Sequence, residues 1–264
     1  MTVHVHQCGE TATMTRCARL ANLSFARPHG HCAVVGASSR LLAAEHGVHI
    51  DNATFVLRTN TAPTKGFELH VGENTNLRVV GSKVFKQWEL NWHLQGSSDN
   101  DSVLPHRLKR ANHQDRPESI FVPVRSRLQA FRVIRRPPQS VGFGAKDFLR
   151  DCVLSFVPPA LRYAHRKRTR LDLVPTTGFV AVVLALVHCK RVALYGFGMG
   201  EDERRTGSGY SWYYRDNNQL MTGRREVFDA PFDAAGAPVK WHDLPLEWRL
   251  LERLQRKGCV EVWR

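Results

Sequence analysis

Cys32-Ala33-Val34-Val35-Gly36-Ala37-Ser38 is the stretch on which the fold turns. A short apolar run is closed by glycine, and residues Ser38 to Glu45 then read as the start of a helix. This is strand, tight turn, helix. A second strand follows at Thr54-Phe55-Val56-Leu57-Arg58, and a third is expected at Asn76 to Val80. Apolar strands alternating with helical segments imply a mainly parallel, twisted sheet with helices on its faces.

Downstream a helix comes first and its strand follows. Pro175-Thr176-Thr177-Gly178 opens an apolar run, Phe179 to Val187, with no polar face, so it reads as a buried helix capped by the threonine pair. Arg191 to Gly198 reads as a strand ending in glycines. Leu246, Leu250, Leu251 and Leu254 stand at helical spacing within 242–257, Gly258 stops that helix, and Cys259 to Trp263 reads as a last strand. These elements predict a single α/β domain over residues 31–264, after a weakly patterned leader, 1–30, and with no internal repeat.

Between them lies a basic segment, about residues 83–172. Ile120-Phe121-Val122-Pro123-Val124 reads as one more strand there, with Pro123 better suited to a sheet edge than its centre. One cluster holds Arg132, Arg135 and Arg136; another runs from Arg162 to Arg170 and includes His165, Arg166, Lys167 and Arg168. Either is a solvated face or an electropositive rim for an anionic substrate.

The whole chain shares that bias. Its 264 residues include 38 Lys and Arg against 24 Asp and Glu, a formal charge of +14 that favours anionic partners. No nucleic-acid-binding motif accompanies the charge, so no nucleic-acid partner is expected. No apolar stretch is long enough to span a membrane, and neither an anchor nor a signal peptide is visible. Six cysteines include no CxxC pair, so neither a zinc site nor a redox motif is expected.

Three places carry chemistry. The Gly36-Ala37-Ser38 turn ends a strand, where ligands of parallel sheets sit and backbone N–H groups meet anions. It matches neither GxGxxG nor a P-loop. Thr176-Thr177-Gly178 offers hydroxyls and a helix dipole for a carboxylate or phosphate, or is simply a cap. His242 can take a proton from a hydroxyl, with Glu247 five residues on, beyond helical i, i+4 pairing.

In context these places resemble the motifs of eukaryotic sialyltransferases. Cys32 to Gly36, Phe55 to Glu68 (Phe-Val-Leu-Arg-Thr-Asn-Thr-Ala-Pro-Thr-Lys-Gly-Phe-Glu) and Val71-Gly72 resemble the large sialylmotif. Pro175 to Gly178, Cys189 and Tyr195 to Gly198 resemble the small motif, and His242 with Glu247 the very small motif. The segment Tyr210 to Asp216, with Trp212, Tyr213, Tyr214 and Arg215, looks like the third motif, a possible phosphate-facing segment.

That resemblance implies a Rossmann-like domain, the sialyltransferase variant of the glycosyltransferase A fold. It implies transfer of sialic acid from CMP-sialic acid to a hydroxyl of a glycoprotein or glycolipid glycan, with inversion and no metal or other cofactor. His242 would be the general base. Gly36, Ser38, Asn60, Thr176, Thr177, Gly178 and Gly198 would hold the donor, and Glu247 would be structural. Cys32 and Cys189 would form the family's disulfide, in keeping with a Golgi lumen. Four positions depart from the family pattern. Ala37 stands where many members have Asn, His70 where Asp is usual, Val174 where some have Tyr, and Trp212 where a His is expected. They open the alternative of a catalytically impaired protein that binds nucleotide or glycan.

Overall fold

The computed structural model describes residues 15–17, 29–60, 62–81, 119–123, 141–144, 148–169, 172–197, 213 and 242–263. Seven strands form one sheet: β1 (His29–Val35), β2 (Phe55–Thr59), β3 (Leu77–Val79), β4 (Ser119–Pro123), β5 (Val141–Gly144), β6 (Cys189–Tyr195) and β7 (Glu261–Trp263). Their order is β5-β4-β3-β2-β1-β6-β7, and every neighbouring pair is parallel. The sheet expected to be mainly parallel is wholly so among the described residues.

The opening motif shows why. Side chains alternate across a strand, so Cys32 and Val34 enter one core while Ala33 and Val35 enter the other, and all four are essentially inaccessible. A strand covered on both faces needs no polar residue, hence its unbroken apolar run. On the first face pack α4 (Thr177–His188), buried from Phe179 to Leu186, and the Leu246, Leu250, Leu251 and Leu254 stripe of α5 (Leu244–Arg256). On the second lie Leu41, Ile50 of α1 (Gly47–Asp51), Val71 of α2 (Glu68–Val71) and Tyr213.

Two arginines are buried in this interior, where a charge must be hydrogen-bonded to be tolerated. Arg58 donates from Nε and Nη2 to Asn74 O (3.1 and 2.8 Å) and from Nε to Thr75 Oγ1 (2.9 Å). Arg78 donates from Nη1 to Asn60 O and Ala62 O, both at 3.0 Å. Each guanidinium holds a loop flanking β2 and β3.

Two expectations are corrected. Ser38 to Glu45 forms a short 3-10 helix, Ser39–Ala43, not an α-helix; α1 begins only at Gly47. The strand around Ile120 is not at the edge: β4 sits between β3 and β5, and Pro123 is tolerated as its last residue. The basic middle supplies the strand expected around Ile120 as β4, and also β5, a π turn (Phe148–Cys152), a 3-10 turn (Val153–Phe156) and α3 (Pro159–Thr169).

Two disulfides between described residues staple this frame. Cys32–Cys189 joins β1 to β6 with 6.0 Å between Cα atoms, the pair that the family resemblance implies. Cys17–Cys152, 135 residues apart, ties residues before the sheet to the π turn and was not expected. No cysteine is free among the described residues. No described helix is long and apolar enough to cross a membrane.

Candidate functional site

The chain runs outward from β1 to β5 and then returns to place β6 beside β1. That reversal is a topological switch point, and in such sheets ligands sit in the crevice beyond the carboxyl ends of the two strands, here β1 and β6. Gly36 leaves β1 there, its N–H donating to Tyr195 O at 2.8 Å. A Cβ on Gly36 would stand 2.8 Å from Gly196 O, so only glycine lets the two turns pass. Gly196 itself has φ +72°. The Phe197 ring lies 3.4 Å from a Cβ built on Gly36 and 3.3 Å from one built on Gly178. Phe197 thus joins the large-motif turn to the start of α4.

A second convergence lies one strand over. Asn60 ends β2 with φ 50°, a left-handed conformation that Asn adopts more readily than most residues. Its Oδ1 accepts from Gly81 N–H at 3.0 Å, just beyond β3. A Cβ on Gly81 would meet Thr177 Oγ1 at 3.1 Å and Asn60 Oδ1 at 3.5 Å. Asn60, Gly81 and Thr177 therefore meet at the same end of the sheet as Gly36 and Gly178.

Thr176 caps α4, its hydroxyl oxygen accepting from Phe179 N–H at 3.1 Å. The positive end of the helix dipole faces these turns, a setting that favours an anionic group. Thr176 is also bound to Glu247: its N–H donates to Oε1 at 2.7 Å and its hydroxyl meets Oε2 at 2.5 Å. Burial pushes the Glu247 carboxyl up to about 8; the two Thr176 contacts work against that rise and nearby Asp243 adds to it.

His242 lies beside this pair. Its Nδ1 is 2.6 Å from Val174 O. A carbonyl only accepts, so Nδ1 carries a proton, and in the neutral ring Nε2 is the nitrogen that holds the lone pair. The expected departure at Val174 therefore bears on its side chain, while its backbone carbonyl sets the His242 tautomer.

The third motif reaches the same end through Tyr213. Its N–H donates to Ala37 O at 3.1 Å, its hydroxyl donates to Pro63 O, and its ring meets Phe67 edge-on with centroids 4.9 Å apart. Burial raises the phenol to about 12, against the opposing charges of Arg58 and Arg78. Trp212, Tyr214, Arg215 and Gly198 lie outside the described residues.

Gly36, Asn60, Thr176, Thr177, Gly178, His242 and Glu247 are brought together. Ser38 is buried and its hydroxyl accepts from Arg40 N–H at 3.3 Å, a capping contact within its own turn. His70 donates from Nδ1 to Ala44 O at 2.9 Å and so ties α2 to the end of the 3-10 helix. Gly81 and Arg78 were not singled out from sequence; a glycine directly after a strand was the available signal for the first. Among the described residues, no three His, Cys, Asp or Glu side chains gather as metal ligands.

Similarity to known proteins follows this geometry. The chain is 28% identical over 220 residues to the human protein named CMP-N-acetylneuraminate-β-galactosamide-α-2,3-sialyltransferase 1, covering 77% of this chain and 53% of that protein. It is 28% identical over 248 residues to the Bos taurus lactosylceramide α-2,3-sialyltransferase, covering 87% and 51% respectively. The chain thus spans about half the length of these curated relatives. A mammalian sialyltransferase crystal structure superposes with a TM-score of 0.51 at 17% identity, covering 97% of this chain and 86% of that one. A second, in complex with Gal-β-1-3GalNAc-ortho-nitrophenol, has a TM-score of 0.50 at 16% identity, covering 98% and 88%. At that identity they speak for the fold alone. Residues 11–259, which contain every strand of the sheet except β7, match glycosyltransferase family 29 (sialyltransferase), and the chain belongs to that family.

Proposed function

We propose that this protein transfers sialic acid from CMP-sialic acid to a galactose hydroxyl of a glycoprotein or glycolipid glycan, forming an α-2,3 linkage. The observation that carries the reading is His242, held by Val174 O in the tautomer that leaves Nε2 basic, beside a turn suited to an anion. The names of the relatives in human and Bos taurus support the donor and linkage.

His242 Nε2 takes the proton of the acceptor hydroxyl as its oxygen attacks the anomeric carbon. The bond to CMP breaks on the opposite side, so configuration inverts. Asn60, Thr177, Gly178 and the Gly36 turn hold the donor. The reaction needs no metal. The disulfides support work in an oxidising lumen of the secretory pathway, the Golgi by resemblance.

The impaired reading rests on Ala37, His70 and Trp212; Ala37 offers a methyl at 8% exposure where many family members place an amide. One assay separates the two: CMP release from CMP-sialic acid with β-galactoside acceptors, in EDTA, with His242→Ala as control. Acceptor-dependent release that survives EDTA and falls by about 10²–10⁴-fold in the variant supports transfer. CMP binding without release, at any acceptor, overturns it in favour of a binding protein.

A further inference from the structure

Asp243 follows His242 directly, and its carboxylate is gripped from outside the motif. Oδ1 accepts from Leu246 N–H at 3.1 Å and caps α5. Oδ2 accepts from Arg168 Nη2 at 2.6 Å and lies 3.3 Å from His165 Nδ1. Both partners stand on α3, within the basic segment that the family motifs leave out.

His165 is 2% exposed, and its Nε2 is buried with no hydrogen-bond partner among the described residues. A leucine or phenylalanine would pack there without an orphaned nitrogen. The imidazole is therefore explained by its Nδ1 contact with Asp243 rather than by packing. Arg168 adds a charge-assisted bond to the same oxygen. The basic cluster is accordingly divided: His165 and Arg168 turn to Asp243, while Arg166 pairs with exposed Asp172 at 3.7 Å.

The contact matters because of what sits one peptide away. The Nδ1–H form of His242 depends on a carbonyl at 2.6 Å. A shift of a few tenths of an ångström weakens that bond, and neutral imidazole in water otherwise favours the proton on Nε2, the form in which Nε2 cannot take the acceptor's proton.

We propose that His165 and Arg168 are positioning residues for His242, fixing through Asp243 the peptide that carries the imidazole against Val174. The proposal rests on the reading of His242 as the base. It assigns a role to α3 that is separate from binding an anionic substrate.

The test uses the full chain with 15N-labelled histidine. Imidazole nitrogen shifts of His242 report its tautomer, and kcat and CMP affinity are measured beside them. The wild type shows Nδ1–H. His165→Phe combined with Arg168→Ala shifts the ring toward Nε2–H, lowers kcat by about tenfold or more, and leaves CMP affinity within about twofold. Arg168→Lys keeps much of both signals. Arg168 has a side chain 56% exposed, so Arg168→Ala alone serves if the double variant does not fold. An unchanged tautomer in the variants overturns the proposal, even where the melting temperature falls. A wild type that transfers nothing refutes the base reading instead, and the tautomer comparison still decides the anchoring.

Discussion

The carboxyl group of Glu247 receives the backbone N–H of Thr176 at 2.7 Å and its hydroxyl at 2.5 Å, joining the helix after His242 to the cap of α4. Glu247 is 5% exposed and its pKa is raised to about 8 from an ordinary 4.5. A folded-state pKa above the unfolded one means that folding takes up a proton. The stabilisation is full below the unfolded value and is lost as pH rises through the folded one. Glu247→Gln keeps an acceptor and a donor for Thr176 but does not titrate. Thermal unfolding between about pH 5 and pH 8 should therefore show the wild type losing stability relative to Glu247→Gln, on the order of a few kcal/mol. Parallel curves would mean that Glu247 is ionised throughout.

Gly36 and Gly66 separate space from strain. Gly36 would drive a Cβ to 2.8 Å from Gly196 O, a backbone atom that cannot rotate away. Gly66 has φ +85° but nothing within 4 Å of its Cβ position. Gly36→Ala should cost roughly 1–3 kcal/mol and weaken CMP binding, because it pushes apart the turns that wall the crevice. Gly66→Ala should cost about 1 kcal/mol and leave CMP binding alone. Equal effects on CMP affinity would remove the crevice between β1 and β6 as the donor site.

The difference between what could and could not be read in advance has a physical cause. Val34, Leu57 and Leu194 lie in strands covered on both faces, so each sits in a short apolar run (Cys32 to Val35, Phe55 to Leu57, Val192 to Leu194) visible as a strand. Thr176 was legible as a cap because a hydroxyl residue precedes an apolar helix. Ser39–Ala43 was not separable from an α-helix, since one turn carries no period to distinguish 3.0 from 3.6 residues. β5, at the sheet edge, holds two glycines in four residues and has almost no strand signature. The partner of His242 Nδ1 is a carbonyl, which any residue at position 174 supplies. His165 was hidden in a charge run that looks like a solvated face, and Cys17–Cys152 leaves no spacing signal.

The Cys32–Cys189 and Cys17–Cys152 disulfides close loops of 157 and 135 residues, for which chain entropy gives about 5 kcal/mol each. Replacing either pair by alanine should therefore lower the melting temperature by a similar amount. Their effects on CMP binding should differ. Cys32 lies on β1 and Cys189 on β6, the strands that wall the crevice, whereas Cys152 lies in the π turn. Loss of CMP affinity in Cys32→Ala/Cys189→Ala but not in Cys17→Ala/Cys152→Ala is the expected result. Equal retention of both affinity and melting temperature would show that the bonds contribute little.

Tyr213 connects the third motif to the first. Its phenol sits near 12, raised by burial, so it stays protonated and donates to Pro63 O across the whole working range. It is therefore an anchor for the loop after Asn60 and not a proton carrier. Tyr213→Phe keeps the edge-on ring contact with Phe67 and removes only the hydroxyl. The expected cost is about 1 kcal/mol in stability, with the shape of the pH–rate profile unchanged below pH 10. Tyr213→Ala empties a buried site and should cost roughly 3–5 kcal/mol. A rate profile whose alkaline limb disappears in Tyr213→Phe would instead assign the phenol a place in proton transfer, and the anchoring role would have to be withdrawn.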